Sequence, residues 1–321
     1  MEDAPRTKRR RTESTTDATA EAPPLVRSAE YWFDDGNIIL QAESTQFRVA
    51  KSVLSMHSSV FRDMFLLPLP SDEAMVEGCA VVVLQGDTAL DWIVLLGVIY
   101  PKRLVDKALH PTRTAAILRL SKKYDFPLFR EDCLKRLKTK FPTTLDEFIS
   151  NSWPFLPTES SGYFTVISLA REIGIYSILP VAYTVLLDDC MAKILDPKDT
   201  DLSASDRLAC LLGYANLLEL QGSTTLAWLN LGAKHLPSPT CRQSTKCVAA
   251  VKDIIVTRSN NHPPLLYILD DWDEAWESGM CQPCRKKAKE VYEAGRETCW
   301  DKLPAAFGLP DWEELKSLDL K

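Results

Sequence analysis

Two short apolar runs, Ile38-Ile39-Leu40 and Gln46-Phe47-Arg48-Val49, are separated by polar residues and follow the turn signal Asp35-Gly36-Asn37, a pattern that predicts a β-hairpin. The period then lengthens. Val53, Leu54, Val60, Phe61, Met64 and Phe65 recur at helical spacing with Ser58 as N-cap, and Pro68 and Pro70 stop the helix and open a loop through Gly78. Ala80 to Leu84 is a continuous apolar run rich in valine, suited to a buried strand. Asp87 caps a helix whose Leu90, Ile93, Val94, Gly97 and Tyr100 share a face, ended by Pro101. Pro111-Thr112 opens another, with Ala116, Ile117, Leu120 and Tyr124 aligned, and a last one carries Leu128, Leu134 and Leu137. Strands first and helices after predict an α+β unit with a small sheet.

Phe141-Pro142, Trp153-Pro154 and Pro157 interrupt the pattern, so a boundary is expected near 141–160. Beyond it the spacing is helical: Tyr163 to Ile173, Ile178 to Ile194, a cap region Leu202 to Asp206 ahead of Arg207 to Leu220, then Ser223 to Leu236. Leu208, Leu211, Leu212, Ala215 and Leu218 recur at helical spacing as the apolar stripe of the third of these helices. Strand signals are absent, and a helical bundle is predicted. Trp272 and Trp276, four apart, read as a stripe packed on a neighbouring helix, with Trp300 and Trp312 capping the same core. Leu303 to Trp312 reads as an ordered C-terminal clasp. The expected division is a tail (1–28), an α+β domain (29–140), a helical extension (141–240) and a Cys- and Trp-rich helical tail (241–321).

Composition narrows the function classes. The 321 residues suffice for about two domains. A net charge of −6 argues against a nucleic-acid coating protein, which needs positive charge to displace counterions. The longest apolar run, Trp92 to Tyr100, is too short for a bilayer, and Met1 to Arg11 is the reverse of a signal peptide's apolar segment, so a soluble, non-secreted protein is expected. Residues 1–28 lack large apolar side chains until Leu25 and read as disordered. Within them Lys8, Arg9, Arg10 and Arg11 form a basic run of the kind nuclear import receptors engage, which places the protein in the nucleus, the cytoplasm or both.

Candidate chemistry lies in the cysteines, nine in number. An odd count without a secretion signal favours reduced thiols or metal ligands over disulfides. Cys79, Cys133, Cys190 and Cys210 sit in apolar periodic segments as small hydrophobes. Cys241-x5-Cys247 and Cys281-x2-Cys284 could bring four sulfurs to one cation if the helix between them folds back, and zinc, which favours a tetrahedral sulfur shell, is the candidate cofactor, with Arg242, Lys246, Arg285, Lys286 and Lys287 offsetting the thiolate charge. Cys299 and His262 are substitute ligands. Packed unligated thiols and a redox Cys-x2-Cys are the competing readings, the latter weakened because no strand precedes Cys281.

Signs of an enzyme are missing. His57 and His110 stand alone, no phosphate-binding glycine loop or nucleophile elbow occurs, and Asp270 to Glu277, rich in carboxylates, reads as a solvated helical face. Tyr31, Trp32 and Phe33 are candidates for docking a partner or for closing over their own core.

Several blocks in order resemble a BTB (POZ) domain: Asp34 to Leu40 as first strand, Phe47 to Ser55 as second strand and first helix, Ser58-Ser59-Val60-Phe61-Arg62-Asp63-Met64-Phe65 as its most specific block, Leu95 to Tyr100, and Leu118 to Asp125. The layout resembles fungal proteins in which this domain precedes helices and a Cys- and Trp-containing tail. The resemblance implies a non-enzymatic protein-interaction module binding itself or another protein, as a cullin ubiquitin-ligase adaptor or a nuclear scaffold. Ala50, where the family usually has histidine, and Asn37, where many animal members have aspartate, argue against animal-style homodimerisation. The alternative is a zinc-dependent nucleic-acid-binding transcriptional regulator reading through Arg285-Lys286-Lys287-x-Lys289, whose neighbours Glu290 and Glu293 count against it.

Overall fold

A computed structural model describes residues 24–68, 75–102, 110–150, 161–195, 202–231, 235–259 and 268–320. They fall into two compact units, one of residues up to 50 with 70–89, the other of 51–69 with 90–321.

The first unit is a five-stranded mixed sheet in the order β1-β3-β2-β5-β4. The expected hairpin is β2 (Ile38–Ala42) against β3 (Thr45–Val49), antiparallel with Ala42 opposite Thr45. The two-residue turn between them puts Glu43 at φ 51°. The Ala80 run is β5 (Cys79–Val83), parallel to β2 and paired on its other edge with β4 (Met75–Val76), a short strand inside what reads as loop. β1 (Val26–Trp32) runs parallel to β3 and begins inside the segment expected to be tail. The polar run preceding it hides the strand, because an edge strand burying only Ser28 and Tyr31 needs little apolar sequence. Ile39, Cys79 and Val81 form a small cluster with Trp32 and Val76 packed on it.

The second unit is helical. α1 (Lys51–His57) and α2 (Ser59–Leu66) are split at Ser58, whose hydroxyl accepts from the Phe61 amide, the expected cap. α3 (Ala89–Ile99), α4 (Pro111–Tyr124) and α5 (Pro127–Lys140) follow, α4 and α5 each opening on a proline whose missing N–H costs nothing in a first turn. Phe61, Trp92, Tyr124 and Phe126 join in one aromatic cluster, with Phe61 stacked 5.1 Å from Tyr124. α6 (Leu145–Ser150), α7 (Ser161–Ile173) and α8 (Leu179–Leu195) continue the chain, and α7 packs on both α4 and α8. Leu179 to Leu187 are buried on all sides, which makes the first half of α8 a central helix. α9 (Ala204–Ser223), α10 (Ser244–Ser259), α11 (Gln282–Ala306) and α12 (Trp312–Leu318) complete it.

Three expectations are corrected here. α9 buries Asp206, Cys210, Gly213, Leu217 and Gln221, while Leu208 and Leu212 are more than half exposed, so the leucine stripe is not its packed face. Asp206 is held by Arg171, Tyr183 and Ser203, and Gly213 lets the Phe307 ring approach, so a polar network and a missing side chain choose the face. Ser223 to Leu236 is no continuous helix: α9 ends at Ser223 and a single 3₁₀ turn, Ala227–Leu229, follows. Trp272 and Trp276 pack on Tyr292 of α11 as expected of a stripe against a helix, but they stand on no helix of their own: Trp272 precedes, and Trp276 lies within, a 3₁₀ turn, Glu274–Glu277, capped by Asp273. Trp300 and Trp312 stack on each other at 5.1 Å beside Phe148, away from that pair. The C-terminal clasp is present: the Trp312 indole donates to the Trp300 carbonyl, and Asp319 accepts from the Ser177 amide and hydroxyl and pairs with Lys138.

Candidate metal centre

The two cysteine pairs are built alike. In each, one cysteine stands just ahead of a helix and the other in its first turn: Cys241 and Cys247 around the start of α10, Cys281 and Cys284 around the start of α11. Cys281 is the N-cap of α11, with Pro283 in the first turn. The connection returns to α10 through Gly279 at φ 78°, where a Cβ would lie 3.0 Å from the Cβ of Ala250, so both the turn and the contact call for glycine. Upstream of that turn, the Tyr292 hydroxyl donates to the Asp270 carbonyl and Arg296 donates to the Leu269 carbonyl and pairs with Asp271, fixing the incoming segment on α11.

The four ligand sulfurs all lie within 4.8 Å of one another. Cys241 and Cys247 are 3.8 Å apart and Cys241 and Cys281 3.6 Å apart. A tetrahedral ion with sulfurs at about 2.3 Å separates them by roughly 3.8 Å, close to these two distances, so this cluster could hold a metal ion. Amide N–H groups surround it: Gln243 donates to the Cys241 sulfur, Cys281 to that of Cys247 and Ser238 to that of Cys284. With the N-termini of two helices converging there as well, the site is arranged for anionic sulfur. In the metal-free chain the thiols split. The bond from the Cys284 amide pulls Cys281 down to about 7, whereas burial pushes Cys247 and Cys284 up. Beneath the sulfurs lies an apolar cluster that includes Trp228, Trp276, Met280 and Tyr292, with Trp272 5.3 Å from Trp228 and 5.5 Å from Tyr292.

The structure therefore brings Cys241, Cys247, Cys281 and Cys284 together, and leaves Cys299 apart, buried against the Thr224 hydroxyl. His262 and the basic run Lys8, Arg9, Arg10 and Arg11 lie outside the described residues. Backbone amides also donate to the sulfurs, a contribution that sequence signals only through cysteines placed at helix starts. The basic face of α11 is paired: Arg285 with Glu277, Lys287 with Glu290 and Lys289 with Glu293. Tyr31 is buried, Trp32 is half-buried on its own unit's cluster under the Arg27 guanidinium, and Phe33 is half-buried with its amide bonded to the Arg48 carbonyl. His57 packs on Phe129 at 5.2 Å.

Two open clefts of about 490 and 480 Å³ flank α12. Acidic side chains with Trp300 and Trp312 line the first, and Lys135, Lys138 and Lys316 with Glu147 and four hydroxyls line the second, and neither contains a histidine or cysteine. Among the described residues no helix is long and apolar enough to cross a membrane.

Residues 33–141 match the family model of the BTB/POZ domain. No curated protein matches the chain. The chain thus carries a BTB/POZ domain followed by a helical region, and the cysteine cluster lies in the part beyond the match.

Proposed function

We propose that this protein is a non-enzymatic interaction scaffold whose BTB/POZ domain takes up a protein partner, while a zinc ion on Cys241, Cys247, Cys281 and Cys284 braces the C-terminal helices as a second surface. The match over residues 33–141 carries this reading, because such a domain supplies binding surface rather than chemistry. Met56, Leu66 and Leu67 on and after the first two helices and Leu90 on α3 remain two-thirds exposed or more, the kind of apolar surface a partner covers. The partner we favour is a cullin, with the chain acting as a ubiquitin-ligase adaptor, and the run Lys8 to Arg11 gives it a nuclear pool.

Affinity purification of the full chain followed by mass spectrometry tests the scaffold reading. A stoichiometric protein partner, lost when Met56 and Leu66 become glutamate, is expected. Failure of purified cullins to bind removes the adaptor role, and turnover of a small metabolite by the purified chain removes the scaffold reading itself. Elemental analysis should find about one zinc per chain, and deletion of residues 8–11 should abolish nuclear accumulation. A zinc-dependent nucleic-acid binder is disfavoured by the paired charges along α11.

A further inference from the structure

The four clustered sulfurs are alike as ligands and unlike in access. Cys247 and Cys284 are 2% and 0% exposed, beneath the tryptophans of the cluster, whereas Cys241 and Cys281 reach solvent. The other described cysteines, Cys79, Cys133, Cys210 and Cys299, are buried. The two accessible sulfurs are also neighbours, 3.6 Å apart, and come from different segments, one ahead of α10 and one at the cap of α11.

We propose that Cys241 and Cys281 form a thiol-oxidation site set into the metal centre: a peroxide-class two-electron oxidant joins their sulfurs as a disulfide, and the bound ion leaves. The ion's departure rests on the zinc reading above; the pairing of these two sulfurs does not.

The chemistry balances with hydrogen peroxide as oxidant. One thiolate attacks a peroxide oxygen, the O–O bond breaks, and with one proton the products are a sulfenic acid and water. The neighbouring thiolate then attacks that sulfur, the S–O bond breaks, and the departing hydroxide takes a second proton to become water. Two thiolates, one peroxide and two protons give one disulfide and two waters; each sulfur loses one electron and the peroxide gains two. Two thiolates remain, too few for the four-sulfur shell of a closed zinc site. The new bond links the same two segments the ion had held, so the lobe exchanges a metal clip for a covalent one. Each of the five other pairs, Cys241 with Cys247 and Cys281 with Cys284 among them, requires a buried sulfur to meet the oxidant or the sulfenic acid.

The test uses the full chain purified without chelator. Its zinc content is measured first, and a value well below one per chain refutes the metal reading alone. One equivalent of hydrogen peroxide is then added, zinc release is followed with a chromogenic chelator, and the disulfides are mapped by mass spectrometry without reduction. The expected result is a Cys241–Cys281 disulfide with Cys247 and Cys284 still free thiols, release of the one bound zinc, and rebinding after dithiothreitol and added zinc. A map dominated by any other pair of the four, Cys241–Cys247 and Cys281–Cys284 included, or four intact thiols at excess peroxide, overturns the proposal. Because the map is read on the unaltered chain, it does not depend on whether a Cys281→Ser variant folds.

Discussion

Gly295 lies in the middle of α11, and a Cβ built there would sit 2.5 Å from the Thr225 amide nitrogen and 2.6 Å from the Thr224 carbonyl carbon and the Thr225 Cα. That is about 0.9 Å short of the 3.4 Å at which ordinary contact begins, and the obstacle is backbone. The strand of chain it meets has little room to give. Thr225 is fully buried, the Thr224 hydroxyl bonds the Leu220 carbonyl and the Cys299 sulfur, and the Leu226 amide bonds the Gln221 carbonyl at 2.8 Å. On an open helix surface, glycine to alanine gains about 1 kcal/mol. Overpacking costs about 1–3 kcal/mol, and three backbone atoms within 2.6 Å place this site in the upper part of that range, about 2–3, so Gly295→Ala should lose roughly 1–2 kcal/mol net of the helix gain. Gly222, near the end of α9 with nothing within 4 Å of its built Cβ, is the internal control: Gly222→Ala should gain up to about 1 kcal/mol. Equilibrium unfolding in urea, followed by tryptophan fluorescence, reads both as opposite shifts of the midpoint at constant slope. A Gly295→Ala midpoint at or above that of the wild type would falsify the idea that this glycine sets how closely α11 approaches the turn after α9.

The same reasoning applies at Gly213, where a Cβ would fall 2.2 Å from the Phe307 ring, itself buried and 5.2 Å from Tyr183; Gly213→Ala should cost up to about 2 kcal/mol net of the helix gain in the same assay, and a midpoint raised as for Gly222→Ala would mean the ring swings away freely. Asp319→Ala removes the acceptor of the Ser177 amide and hydroxyl and the partner of Lys138, so a loss of about 2–3 kcal/mol and faster trypsin cleavage within α12 are expected; unaltered cleavage would show that the clasp is held by the tryptophan stack alone. Burial pushes the Cys133 and Cys210 thiols up to about 11 and about 12, so both are neutral far above physiological pH. In the folded protein at pH 8 neither should react with iodoacetamide, and alkylation at the rate of a free cysteine would contradict their packing.

The sequence determined whatever short-range spacing controls. The hairpin follows from two apolar runs a turn apart, the split between the first two helices from Ser58 as a cap, and the starts of α4 and α5 from prolines whose ring geometry suits a first turn. The cysteine set was legible for a similar reason: a sulfur pair at each of two helix starts is a local pattern, and thiol chemistry leaves few uses for it. Tertiary structure alone decided which face of α9 is buried. Leucine spacing marks an amphipathic helix without saying what it meets, and here a carboxylate shared by Arg171 and Tyr183 and a glycine beneath Phe307 outweigh the leucines. Tertiary structure also decided that Cys247 and Cys284 lie beneath tryptophans while Cys241 and Cys281 face water, because access is a property of what packs around an atom and no residue carries it alone.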